Sequence, residues 1–371
     1  MDRSTDLFAR LGGDEFGLLL GPPSDREAAL RAAASIGDAL RDPFEIKGVQ
    51  MNVAASIGIA LYPSDGDDAE RLVRHADIAM YNAKVAGEPW GFYAGDRDEH
   101  SRDALELASE LSDAIADGQL DLRYQPIAQA RGGTVIGVEA LVRWAHPTRG
   151  LLAPDVFIPL AEQSGQMRDV TRWVIEAALG RAREWRDDGH VLRMSVNVSV
   201  QDLLDVSFPG EVAAALARHG VDPSLLVLEV TETSIMSDPV RISDVLGRLG
   251  ELGVGLSLDD FGTGYSSLVH LKTLPVSEVK IDRGFVSGMR AGATDREIVR
   301  AAIMLARNLG LSAVAEGVED AETWQALRAL GCTLIQGYHL ARPLPAGEVE
   351  AFLDAPREPP PPNTDLLETA S

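Results

Sequence analysis

Residues Val254-Gly255-Leu256-Ser257-Leu258-Asp259-Asp260-Phe261-Gly262-Thr263-Gly264-Tyr265 form a short apolar strand that runs into two adjacent aspartates and a glycine-rich turn. Polar residues that begin where an apolar run stops sit at the C-terminal end of the strand. Read outward from this stretch, the pattern recurs. Strand-like runs lie at Leu120 to Ile127, Val135 to Val142, Met194 to Val198, Leu226 to Val230, Val254 to Leu258, Glu278 to Ile281, Ser312 to Ala315 and Thr333 to Gln336. Helical stretches separate most of them, for example Thr171 to Arg186, Gly210 to His219, Asp295 to Asn308 and Ala321 to Leu330, and a helix at Asp103 to Ala116 precedes the series. Strands alternating with helices over about 250 residues predict an α/β chain closed into a (β/α)8 barrel. The first two strands are joined by Ala128 to Thr134, too short for a crossover helix, so that pair is expected to be antiparallel.

Such barrels build their chemistry at the C-terminal strand ends. Glu139 lies near the end of the second strand and Asn197 ends the third. Glu229 and Glu232 end the fourth, Asp259 and Asp260 the fifth, and Lys280 and Asp282 the sixth. Glu316 and Glu319 follow the seventh and Gln336 the eighth. One such residue reads as a helix cap or an ion-pair partner. A whole rim of carboxylates would repel itself unless something positive sat among them. Oxygen donors without cysteine or paired histidines point to Mg²⁺ or Mn²⁺ rather than Zn²⁺. Adjacent Asp259 and Asp260 suit a pair of ions, as in two-metal phosphoester cleavage. The run from Asp260 to Ser267 then reads as a glycine-rich lid or switch loop beside the acids.

Composition narrows the class. The formal net charge of −23 argues against a broad nucleic-acid surface, while leaving room for one small phosphate ligand held by local cations. No apolar run is long enough to cross a bilayer, and the first residues lack the features of a signal peptide. Cys332 is the single cysteine, which excludes an internal disulfide and makes the cytoplasm the expected location.

Residues 1–98 read as a short α/β piece: a strand at Phe16 to Leu20, a helix from Asp25 to Leu40, a strand at Met51 to Leu61 and a helix from Asp67 to Val85. This resembles the back half of a domain. The barrel domain is expected over 104–355, and from Pro356 onward a proline-rich acidic stretch is expected to be disordered.

With these residues in view, the barrel resembles the EAL family of cyclic di-GMP phosphodiesterases, which have a TIM-like fold. The blocks that carry the resemblance are Glu139-Ala140-Leu141-Val142-Arg143, Asn197-Val198-Ser199, Glu229-Val230-Thr231-Glu232 and Asp259 to Tyr265. Lys280-Ile281-Asp282, Glu316-Gly317-Val318-Glu319 and Gln336-Gly337-Tyr338 complete them. A lone Glu-Ala-Leu means little, whereas ordered blocks at successive strand ends are specific.

The resemblance implies that Glu139, Asn197, Glu229 and Asp259 ligate a first metal, and Asp259 with Asp260 a second. It implies that Glu316 and Gln336 hold metal-coordinated waters, and that Lys280 orients or deprotonates the attacking hydroxide. Glu232 would anchor the glycine-rich loop, while Gln125, Arg143, Asp282 and Tyr338 would contact substrate. The implied reaction opens cyclic di-GMP to linear pGpG with Mg²⁺ or Mn²⁺, in a homodimer formed through the barrel. A non-hydrolytic cyclic di-GMP receptor or protein-interaction module on the same barrel is the alternative.

The first segment resembles the C-terminal part of a GGDEF (diguanylate cyclase) domain through Gly12-Gly13-Asp14-Glu15-Phe16, Ser56 to Ala60 and Ala79 to Lys84. Its opening strand and helix are not present in this sequence, and Glu88 stands where a basic residue is usual, so cyclase activity is not expected. Arg3-Ser4-Thr5-Asp6 has the spacing of that family's product-inhibition motif.

Overall fold

A computed structural model describes residues 6–354, apart from 13–14, 23–24, 41–43, 47–48, 52–54, 86–87, 95–97, 263–273 and 291. Arg3 to Thr5, the centre of the Gly12–Phe16 signature, the glycine-rich run from Thr263 and the stretch after Pro356 therefore lie outside the described residues. The chain divides into two compact units, Met1–Ser109 and Glu110–Ser371.

In the first unit, strands Leu7–Gly12 and Glu15–Leu19 form an antiparallel hairpin around the signature. The helix Arg26–Leu40 buries Ala29 and Ala33 against Ile59, with Leu20, Ile57, Leu61 and Phe92 closing the cluster. The strand expected at Met51 to Leu61 is corrected to two separate pieces. Val49–Met51 pairs antiparallel with Phe44–Ile46, whereas Ile57–Ile59 pairs parallel with Trp90–Phe92. Residues 52–54 between them lie outside the described residues, and Ala55 and Ser56 have little strand propensity.

The second unit is a closed eight-stranded barrel. Its strands are β1 Leu120–Gln129, β2 Val135–His146, β3 Arg193–Asn197, β4 Leu226–Thr231, β5 Gly255–Phe261, β6 Glu278–Ile281, β7 Ser312–Ala315 and β8 Leu334–Gln336. Neighbours from β2 round to β8 are parallel. β1 runs antiparallel to both β2 and β8, as its short connection to β2 requires on one side and closure requires on the other.

Helices cover the barrel where their apolar faces recur at helical spacing. Met167–Asp187 buries Val170, Val174, Ala178 and Trp185, and Trp185 meets Tyr124 of β1 edge to face at 4.8 Å. Pro239–Glu251 buries Ile242, Val245, Leu246 and Leu249, and the Asp238 carboxylate caps its first turn. At the N-terminal end of the barrel the Glu278 carboxylate, 2% exposed, accepts from the Arg193 guanidinium at 3.0 Å. That pair borders a cleft of about 620 Å³ shared with Gly255, Ser277 and Ser312. The acidic residues identified above collect at the opposite, C-terminal end.

Candidate active site

Strand alternation places Glu278 and Lys280 on one face of β6, and Ser257 and Asp259 on one face of β5. Lys280 is 1% exposed and stands at the centre of the site. Its ammonium donates to Glu229 at 2.7 Å and to Glu139 at 3.3 Å, and it pairs with Glu316 at 2.6 Å and Asp259 at 3.7 Å. Thus four carboxylates from β2, β4, β5 and the residue after β7 meet one fixed positive charge. The Glu316 backbone N–H donates to the Ile281 carbonyl, which fixes that loop beside β6.

A second tier of amides completes the network. Gln336 at the end of β8 donates to Glu139 at 2.6 Å and to the Gln125 side-chain oxygen at 3.1 Å. Asn197 donates to the other oxygen of Glu139 at 2.8 Å. Gln125 itself donates to the Ala341 carbonyl, binding the segment after β8 to the same network. Gly337 makes that segment possible, because a Cβ there would meet the Val318 backbone at 2.2 Å.

The electrostatics follow from one cation among several buried acids. Burial is the largest influence on Glu139, but Lys280, Gln336 and Asn197 outweigh it and hold the carboxyl below its usual range. Burial, reinforced by Glu139 and Asp259, pushes Glu229 well up despite Lys280. Glu316 is pushed up to about 7 by burial, with Lys280 opposing and Asp259 and Glu139 adding to the rise. For Lys280, burial is overcome by Glu139, Glu229, Glu316 and Asp259, which hold the ammonium charged far into the alkaline range. The cluster is short of positive charge.

The donors suit a hard divalent cation. Glu139, Glu229 and Asp259 offer carboxylate oxygens, and the Asn197 side-chain oxygen takes no hydrogen bond among the described residues. The Glu229 Oε1 atom is buried and without a hydrogen-bond partner among them, an orphan that a cation would satisfy. No three of the acids close on a single point among the described residues, since the Lys280 ammonium stands between them. Asp260 follows directly, with a left-handed backbone (φ 55°) and its N–H donating to Asp259. Burial and the charges of Asp259 and Asp282 raise its pKa.

The structure therefore brings Glu139, Asn197, Glu229, Asp259, Lys280, Glu316, Gln336 and Gln125 into one hydrogen-bonded and ion-paired network, with Asp260 at its edge. The other expected residues make contacts of their own. Asp282 caps the helix Arg283–Gly288 through the Gly284 N–H, and Glu232 is buried in the first turn of the helix Glu232–Ser237. The loop that Glu232 is expected to anchor lies outside the described residues. Arg143 donates to its neighbour's carbonyl, and burial followed by repulsion from Arg123 lowers its pKa. Tyr338 is 49% exposed on the rim, and the guanidinium of Arg342 lies 4.2 Å from its ring centre.

Comparison with known proteins gives this geometry its context. The family profile described as EAL domain matches residues 108–343, and that described as diguanylate cyclase, GGDEF domain, matches residues 1–89. The bifunctional diguanylate cyclase/cyclic di-GMP phosphodiesterase MucR of Pseudomonas aeruginosa is 42% identical over 351 residues, 94% of this chain and 51% of MucR. The cyclic di-GMP phosphodiesterase NbdA of the same organism is 40% identical over 96% of this chain and 46% of NbdA. The chain thus spans about half the length of these relatives. Among solved structures, the PaMucR phosphodiesterase in complex with c-di-GMP is similar at a TM-score of 0.64 and 44% identity, covering 66% of this chain and 99% of that one. The EAL domain protein from Listeria monocytogenes is similar at 0.59 and 31%, covering 66% and 96%.

Proposed function

This chain belongs to the EAL-domain family, with a GGDEF domain ahead of its barrel, and from that premise we propose that the barrel hydrolyses cyclic di-GMP to linear pGpG. The observation that carries the reading is Lys280, buried and clamped among Glu139, Glu229, Asp259 and Glu316 at the C-terminal rim. Two relatives are named for cyclic di-GMP phosphodiesterase activity, and one similar structure is a c-di-GMP complex.

Mg²⁺ or Mn²⁺ ions, two per site, would be held by Glu139, Asn197, Glu229 and Asp259 on one side and by Asp259 with Asp260 on the other. Bound there, such ions neutralise phosphate charge and lower the pKa of water. The chain's own groups do the rest. Lys280 orients the attacking water by donating to it and faces the phosphate with positive charge. Glu316, paired with Lys280 at 2.6 Å, is placed to hold that water and take its proton. Gln336 and Asn197 hold Glu139 fixed from both sides. The water oxygen bonds to phosphorus, one P–O ester bond breaks, and the departing ribose oxygen is protonated, which opens the ring once. Arg143, with no ion-pair partner among the described residues, is suited to a phosphate oxygen. Dimerisation through the barrel and a cytoplasmic location belong to the same reading. Among the described residues no helix is long and apolar enough to cross a membrane.

Chromatography of cyclic di-GMP incubated with the protein and Mn²⁺ tests the proposal. Native protein is expected to yield pGpG, and folded Glu139→Gln none. Equal turnover by Glu139→Gln would sink it.

A further inference from the structure

Three polar side chains form a row across neighbouring strands of the barrel. Glu229 of β4 is the register partner of Ser257 of β5, and Ser257 is in turn the register partner of Glu278 of β6. Register partners on adjacent strands lie about 4.8 Å apart and point to the same face of the sheet. That face is the barrel interior. Glu229 reaches the Lys280 ammonium from it, and so does Asp259, two residues beyond Ser257 on β5. All three members of the row are buried. It joins the acidic network at one end of the barrel to the Arg193–Glu278 pair at the other.

Serine is an unusual residue for such a place, since barrel interiors are filled mainly by branched apolar side chains. The Ser257 Oγ atom is buried and has no hydrogen-bond partner among the described residues. The same holds for Glu229 Oε1, although the other oxygen of that carboxylate accepts from Lys280 at 2.7 Å. Two carboxylates flank the hydroxyl, and one of them is already engaged: Glu278 accepts from Arg193 at 3.0 Å. The unpaired hydroxyl therefore neighbours the unpaired oxygen of Glu229. Two buried polar atoms in this condition are costly unless something joins them, and a water with as few as two polar partners can do so. A carboxylate oxygen has two lone pairs, so a hydrogen bond to one leaves the other for a cation.

We propose that Ser257 is a positioning residue for Glu229: through one bridging water its hydroxyl holds the Oε1 oxygen in the orientation that a divalent cation requires. Ser257 itself touches neither cation nor substrate. The proposal rests on the hydrolase reading above, in which Glu229 is one of the oxygen donors to Mg²⁺ or Mn²⁺. Hydrogen bonds to a ligating carboxylate fix its direction, and their removal typically weakens metal binding about 10–100-fold.

The test measures the Kd for Mn²⁺ by electron paramagnetic resonance of the free ion, on the full chain without substrate. Ser257→Ala deletes the hydroxyl and is expected to raise that Kd about ten-fold. Its melting temperature in EDTA should stay close to native, because the hydroxyl removed has no protein partner. Ser257→Thr and Ser257→Val form a second pair, matched in shape and differing in the hydroxyl, so any crowding by the added bulk is common to both. The threonine variant should bind Mn²⁺ several-fold more tightly than the valine variant. A native Kd in Ser257→Ala, or equal Kd values in the threonine and valine variants, overturns the positioning role. If Ser257→Ala loses affinity and stability together, the threonine–valine comparison decides. Native protein that binds no Mn²⁺ overturns the metal-centred hydrolase and this proposal with it, whereas native binding that Ser257→Ala retains overturns the proposal alone.

Discussion

Replacing Lys280 by methionine keeps the volume of the side chain and deletes the one positive charge shared by Glu139, Glu229, Glu316 and Asp259. Deleting one member of a buried ion pair typically costs about 3–5 kcal/mol, because the partners are left charged in a poorly solvated place. For a domain of this size each kcal/mol moves the melting temperature by about 2–4 °C, so metal-free Lys280→Met should melt roughly 6–20 °C below native at pH 8. The pH dependence has a definite sign. The Lys280 ammonium has a raised folded pKa, so its contribution is fully present throughout neutral pH and is lost only in strong alkali. Without it the acids face one another. Carboxyls whose folded pKa is raised, as Glu316 is already to about 7, favour the fold below their unfolded pKa and lose that contribution as pH rises through the folded value. The gap between variant and native should therefore narrow towards pH 5 and widen to pH 8. Mn²⁺ should restore part of the lost stability while turnover stays lost. Circular-dichroism melts at both pH values, with EDTA and with Mn²⁺, read this directly. A variant as stable as native at pH 8 in EDTA would refute the claim that Lys280 balances the acids.

Two further outcomes rest on other parts of the barrel. Glu278→Ala leaves Arg193 unpaired at the N-terminal end; because the arginine is partly exposed, the loss by urea titration should be nearer about 1–3 kcal/mol than the fully buried figure, and no measurable loss would show the pair to be incidental. Cys332 is buried, with its thiol pushed up to about 12 by that burial, so a thiol reagent at pH 8 should label it only after unfolding; rapid labelling of folded protein would contradict the packing.

Much of this architecture was legible because barrel strands end in polar residues where their apolar runs stop, as Leu258 does before Asp259. The antiparallel start followed from a connection too short for a helix, whereas the pairing of β1 with β8 depends on closure, which no local pattern encodes. The helix Pro239–Glu251 carries Pro239 in its first turn, where a missing N–H costs nothing. In the candidate site, residue types at strand ends pointed to the acids and to Lys280, but not to how one ammonium is shared among four carboxylates. That sharing arises from strands distant in sequence. Asp282 shows the reverse difficulty: its position matches a family block, and its observed bond is a helix cap.

Hydrolysis of cyclic di-GMP in ¹⁸O-labelled water, followed by mass spectrometry of the product, tests the central claim most directly. The expected result with Mn²⁺ is linear pGpG carrying one ¹⁸O on its terminal phosphate, with no product in EDTA. Intact cyclic di-GMP recovered from protein that has bound it and holds Mn²⁺ would contradict the account and make this barrel a receptor.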